Sequence, residues 1–216
     1  SPSPIGKANL HLGKQTARER GKRVVSCAGL LILVLAALAL YFLWPQSTHR
    51  VTTCPDLNVL LITLDTTRAD RIGCYGYALA ETPNIDRLAS EGVRFANAYC
   101  QAPLTLPSHC SLFTGTTPLF HRVRNNGFYY LHGDQTTLAE TLREKGFQTA
   151  AFVGSFTVDS RFGIDQGFDV FDDDFLETGA TKNFTSERKA QNVFSAFNRW
   201  FDAWSGKKFF CWVHFY

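Results

Sequence analysis

The sequence predicts an α/β domain built on a largely parallel sheet and preceded by a single membrane-spanning helix. Three observations lead there. Leu57 to Leu64 (LNVLLITL) is a nearly continuous apolar run, the pattern of a strand buried on both faces of a parallel sheet. Apolar segments with strand spacing and with helical spacing then alternate to the end of the chain, which is the pattern of βα units. Ser26 to Trp44 holds nineteen residues without a charge, close to the roughly 20 that cross a bilayer.

Before that span, Lys7, Lys14, Arg18, Arg20, Lys22 and Arg23 face Glu19 alone. Positive charge of this kind marks the cytoplasmic side, so residues 1–25 read as a cytoplasmic tail and the rest as periplasmic or extracellular. A cleavable signal peptide has a shorter apolar region of about 7–15 residues, and the aromatic exit Tyr41, Phe42, Trp44, Pro45 suits an interfacial anchor instead. The net charge of +3 is carried by that tail, which argues for topology and against nucleic-acid binding. Residues 45–56, with two prolines, read as a linker, and 57–216 as the globular part. The start at serine, the lack of methionine and the stop inside an apolar run lead us to read the chain as the N-terminal part of a longer protein. Five cysteines lie beyond the span, an odd number without metal-ligand spacing, and Asn183-Phe184-Thr185 forms a glycosylation sequon.

Within the globular part, Thr82-Pro83 starts a helix of about ten residues that Gly92 stops. Val93 to Tyr99 alternates as a strand, Thr136 to Lys145 is a helix ended by Gly146, and Phe147 to Val153 is an apolar strand. Ala190, Val193, Phe194, Phe197, Phe201 and Trp204 form a helical stripe, followed by a last strand from Lys208 to Phe215. Asp172 to Asp174 lacks the spacing of a calcium loop and reads as a solvated turn, and Arg68 with Asp70 reads as a local pair.

Ligand sites in open α/β sheets gather at the carboxyl ends of strands, where Asp65 stands directly after LNVLLITL. By itself such an aspartate caps a turn more often than it binds a metal. Thr105 lies two residues before Pro107, which can open a helix and bring the hydroxyl near free N–H groups and a positive dipole end. Thr105 as a plain helix N-cap is the structural alternative. A threonine hydroxyl needs a base or a metal ion to attack at neutral pH, and Asp65 is a plausible first ligand of that ion.

The segments NVLLITLDTTRADRIGCYGY, TPNIDRLASEGVRFANAYCQAPLTLPSHCSLFTG and GFDVFDD, in this order and spacing, resemble the sulfatases and phosphoester-cleaving relatives of the alkaline phosphatase superfamily. The resemblance implies an alkaline-phosphatase-like fold and a hydrolase acting on a sulfate or phosphate ester of a small molecule, glycan or lipid. It makes Asp65 the first metal-binding aspartate, with Thr66 where many sulfatases have a second, and Thr105 both nucleophile and metal ligand. Thr105 occupies the position of the cysteine or serine matured to formylglycine, so no formylglycine is expected, and a divalent ion, calcium or else manganese or zinc, is. His109 stands where the signature has arginine. His109 is thereby a candidate substrate contact, and so, in HRVRNNG, are Asn126 and His121, Asn126 being equally readable as a turn residue. The sulfate-gripping lysine and histidine fall near Gly154 to Val158, where this chain reads GSFTV. Further metal ligands are expected after Tyr216, so the 216 residues alone should be inactive. Two other readings stand beside this one: an inactive sulfatase-like binding module, and a phosphoethanolamine-type transferase.

Overall fold

The computed structural model describes residues 56–175 and 187–216, together with Val34, Leu35 and Leu38, which are helical and exposed. The chain divides into two compact units, Ser1–Thr53 and Cys54–Tyr216. The remainder of the expected span, the linker up to Pro55 and the sequon lie outside the described residues. Among the described residues no helix is long and apolar enough to cross a membrane.

In the second unit the elements run β1 (Val59–Leu64), α1 (Pro83–Glu91), α2 (Thr105–Thr114), α3 (Pro118–His121), α4 (Leu138–Glu144), β2 (Gln148–Val153), β3 (Val170–Asp172), α5 (Ala190–Asp202) and β4 (Phe209–Phe215). The four strands form one wholly parallel sheet in the order β1-β4-β2-β3. Parallel neighbours need crossovers, and the helices supply them.

Strand alternation sorts the core into two layers. Phe210 and Trp212 of β4 and Ala151 and Val153 of β2 point to one side, where Leu106, Cys110 and Phe113 of α2 and Ala139 of α4 cover them. Phe209, Cys211 and Val213, with Ala150 and Phe152, point to the other, under Val193 and Ala196 of α5. Fully burying an apolar side chain of this size contributes about 1.5–3 kcal/mol, so α2 is fixed to the sheet mainly by three such residues.

Local signals set the helix ends. Pro83 opens α1, although Thr82 does not cap it; the Thr82 hydroxyl accepts from Gly73 N–H at 3.0 Å instead. Thr137 and Glu140 form a reciprocal capping box at the start of α4. Three expectations fail. Val93 to Tyr99 forms no strand, and Val93, Phe95 and Tyr99 stay exposed, because no described strand offers them a partner. Strand β1 is not buried on both faces: among the described residues it is the edge of the sheet, and Leu60, Ile62 and Leu64, on the side where α5 packs over β4 and β2, are exposed. The acidic run is not a solvated turn either. Asp172 belongs to β3 and pairs with Arg188 at 2.6 Å, while Asp173 accepts from the Ser160 amide and hydroxyl at 3.0 and 2.7 Å. Arg68 and Asp70 form the expected pair, an exposed two-pronged contact of 2.8 and 2.7 Å. Cys74, Cys100, Cys110 and Cys211 are free thiols.

Candidate active site

The site gathers where β1 and β4 end and α2 begins. Asp65 extends the β1–β4 ladder by one bond, its N–H donating to Phe215 O at 2.9 Å. The next residue, Thr66, sits at φ 57°, a left-handed conformation that a β-branched side chain adopts only under strain. That turn lets Thr66 N–H donate to Asp65 Oδ1 at 2.7 Å. One carboxylate oxygen is thereby clamped, and the other, Oδ2, is buried without a hydrogen-bond partner.

Thr105 is the first residue of α2; the N-cap is Leu104, and no side-chain capping bond is made there. This corrects the reading of Thr105 as the cap and of Pro107 as the helix start. The first turn explains the Thr-Leu-Pro-Ser-His pattern. Ser108 Oγ and His109 Nδ1 both donate to the Thr105 carbonyl, at 3.0 and 2.8 Å, and pin the backbone beneath its hydroxyl. Pro107 has no N–H to leave unpaired, and Leu106 N–H donates to Asn126 Oδ1 at 2.9 Å. The expected array of free N–H groups at this helix end therefore shrinks to that of Thr105 itself. The Asn126 oxygen is committed to the helix, and its amide NH2 is the donor end of the same side chain.

His109 is buried and its Nδ1 carries the proton given to the Thr105 carbonyl. Burial pushes its pKa down, opposed by that carbonyl and by the charge of Asp65. Its ring meets His214 edge-on with centroids 4.9 Å apart. His121 is buried elsewhere: Val123 N–H donates to its Nδ1 at 3.2 Å, so Nε2 carries the proton and donates to Ser111 Oγ at 2.9 Å. Burial lowers its pKa as well. Both of its nitrogens are used in tying the loop that carries Asn126 to the middle of α2.

His214 is the residue that sequence reasoning missed. It follows Phe210 and Trp212 on the face covered by α2, is 0% exposed, and lies opposite Thr63 in the β1–β4 register. Its Nδ1 is 2.8 Å from Thr63 Oγ1, which also accepts from Trp212 Nε1 at 3.0 Å. Burial, and secondarily the neighbouring His109, pushes its pKa down to about 3, so the imidazole is neutral. Nε2 stands 3.7 Å from Asp65 Oδ2, too far for a hydrogen bond, and has no partner either. A histidine in the otherwise apolar run FFCWVHFY was the signal. At Gly154 to Val158, Ser155, Phe156 and Val158 are buried, and no cation replaces the missing lysine and histidine within that stretch.

A family model described as Sulfatase matches residues 57–216. The chain belongs to the sulfatase family. Among the sulfatases it resembles, human iduronate 2-sulfatase is 37% identical over 123 residues, 56% of this chain and 22% of the relative. The N-acetylglucosamine-6-O-sulfatase of Bacteroides thetaiotaomicron is 34% identical over 160 residues, 69% of this chain and 28% of the relative. The sulfatase chain thus spans less than a third of the length of these curated relatives. Among solved structures, the phosphonate monoester hydrolase of Agrobacterium radiobacter superposes with a TM-score of 0.57 at 25% identity, covering 73% of this chain and 40% of that one. These likenesses extend the α/β, parallel-sheet architecture of the sulfatase and alkaline-phosphatase-like fold to this protein.

Proposed function

We propose that the protein is a membrane-anchored, metal-dependent hydrolase of a sulfate or phosphate ester, with Thr105 as nucleophile and its catalytic domain on the periplasmic or extracellular side. The observation that carries the reading is the first turn of α2. The Thr105 backbone is pinned from below by Ser108 and His109, and its hydroxyl stands at the positive end of the helix without a capping bond of its own. The names of the relatives, which include sulfatases of iduronate and N-acetylglucosamine, favour a sulfated small molecule or glycan as substrate.

In the reaction the Thr105 oxygen forms a bond to sulfur or phosphorus as the bond to the leaving alcohol oxygen breaks, and that oxygen takes up a proton. Water then displaces Thr105 from the covalent ester and restores its hydroxyl. The Asn126 amide and the Thr105 N–H would donate to the non-bridging oxygens, whose charge they stabilise as it develops. Neutral His109 holds the Thr105 backbone through Nδ1, and His121 positions the Asn126 loop. Asp65, whose buried Oδ2 lacks a partner, fits the role of metal ligand, with Thr105 as a second; the ion would supply the charge that lowers the hydroxyl pKa.

The test compares turnover of aryl sulfate, phosphate monoester, diester and phosphonate substrates by the full-length protein loaded with calcium, manganese or zinc. Turnover should vanish in Thr105→Ala, and a quenched reaction should leave sulfated or phosphorylated Thr105 detectable by mass spectrometry. Activity unchanged in Thr105→Ala would refute the mechanism. No turnover with any metal would leave a binding module, and transfer of the group to an acceptor other than water would make the protein a transferase.

A further inference from the structure

The loop that follows α3 runs back along α2 and is tied down at three places. His121 Nε2 donates to Ser111 Oγ at 2.9 Å, Val123 is fully buried, and Asn126 Oδ1 accepts from Leu106 N–H at 2.9 Å. At 1.5 Å of rise per residue, Ser111 stands about 9 Å along the axis from Thr105 and Leu106 about 1.5 Å, so the loop climbs towards Thr105 as it goes. Between the ties, Arg122 and Arg124 are exposed, and among the described residues neither forms an ion pair. Arg122 is also the C-cap of α3, at φ 66° and ψ 0°, a left-handed conformation that costs glycine least. Among the described residues the other non-glycine with positive φ is Thr66, next to Asp65. Backbone outliers of this kind cluster at sites that bind ligands, and here the strained position carries an unpaired cation.

We infer that Arg122 and Arg124 determine specificity by binding a second anionic group of the substrate, a carboxylate or a further sulfate or phosphate, beside the ester that Thr105 attacks. This rests on the esterase reading above and deepens it by narrowing the substrate to a polyanionic ester. The planar guanidinium presents paired N–H donors that match the oxygens of a carboxylate or phosphate, a geometry that lysine does not offer. Other positive charge close in sequence to the site residues is committed or missing. Arg68 is paired with Asp70 at 2.7 Å, and the stretch Gly154 to Val158 holds no cation. The loop that carries the two arginines also carries Asn126, so one segment would hold both the reacting ester, through the Asn126 amide, and its anionic neighbour. Because His121 and Val123 are buried on either side of Arg122, the loop can present these charges without rearranging its own packing.

Calorimetric titration of the full-length protein carrying Thr105→Ala, in which the ester stays intact, compares three disaccharides: one with a single sulfate, one that adds a uronic carboxylate to it, and one that adds a second sulfate. At least one dianion should bind more tightly than the monoanion, and the one that gains names the anion preferred. In Arg122→Gly and in Arg124→Gln that advantage should shrink by about tenfold each, the low end for hydrogen bonds to charged groups because both side chains are exposed. Glycine suits the left-handed backbone at 122, so Arg122→Gly removes the charge without unfolding the turn. Arg199→Gln, on α5 across the sheet from α2, should leave the advantage intact and so separate a local contact from a change in net charge. Equal affinity for all three sugars, no binding of either dianion, an advantage that both loop variants retain, or one that Arg199→Gln removes as fully would overturn the inference. Failure of the esterase reading is distinct: it would show as turnover insensitive to Thr105→Ala, whereas the affinities are read without turnover.

Discussion

Asn126 holds the first turn of the helix that carries Thr105, and two substitutions separate that role from the proposed contact of its NH2 with the substrate. The Leu106 residue whose N–H it accepts is 0% exposed, so Asn126→Ala leaves that donor buried and unpaired. An unsatisfied buried N–H costs about 1–3 kcal/mol, and a lost helix-terminal acceptor about 0.5–2 kcal/mol; these describe one and the same bond, so about 1–2 kcal/mol is expected. At roughly 2–4 °C per kcal/mol for 150–250 residues, the melting temperature falls by about 2–8 °C. Asn126→Asp keeps the acceptor and adds a negative charge at a helix N-terminus, which is stabilising by about 0.3–1 kcal/mol at exposed sites. Stability should therefore be retained in this variant. Activity should not, because a carboxylate replaces the NH2 donor with a charge that repels an anionic ester; loss of one such donor costs about 100- to 1,000-fold in kcat. Calorimetry and steady-state kinetics on both variants read the two effects apart. Asn126→Asp as unstable as Asn126→Ala would refute the helix-capping role, and an active Asn126→Asp would refute contact with the substrate oxygens.

Two further predictions concern stability. His109, His121 and His214 are all buried and held below the ordinary histidine range of about 6.5, His214 down to about 3. The unfolded chain therefore binds protons that the folded chain refuses, and stability is full above pH 6.5 and falls as the pH drops below it, by up to about 1.4 kcal/mol per pH unit for each histidine. For His214 that loss continues towards pH 3. In metal-free protein the urea midpoint should fall from pH 7.5 to pH 5, and a midpoint that holds or rises would contradict the neutral burial of these rings. Gly167 adopts φ +88°, and a Cβ there would collide with the backbone N of Glu140 inside the capping box of α4. Neither the left-handed conformation nor a main-chain clash can relax cheaply, so Gly167→Ala should cost more than about 1–3 kcal/mol, measured by urea unfolding. A loss under half a kcal/mol would show that the turn adapts.

The Thr137–Glu140 box that opens α4 was not read from the sequence, but the alternation of strands and helices, the Pro83 start and Gly92 stop of α1 and the end of α4 before Gly146 are carried by neighbours in the chain, and each was legible without a structure. So were Asp65 at a strand end and the Thr-Leu-Pro-Ser-His turn, since a strand terminus and a helix N-terminus are local events. At the helix starts the errors were small and local, with Leu104 in place of Thr105 as the N-cap of α2 and no capping bond from Thr82; the larger failures are non-local. LNVLLITL has the composition of a central strand, but whether a strand is central depends on which others pair with it, and among the described residues β4 alone flanks β1. Val93 to Tyr99 has the alternation of a strand, yet alternation forms no ladder without a partner. His214 is the clearest case. The sequence places it two residues after Trp212, hence on the same face, but only the β1–β4 register sets it opposite Thr63 and beside Asp65, 149 positions away, and only the packing of α2 on that face brings His109 against it. The sequence by itself determined the fold class and put forward Asp65, Thr105 and Asn126 as candidates, because periodicity and capping act within a few residues. The tertiary structure alone decided which of them meet, because strand order and register are set by contacts between segments far apart in the chain.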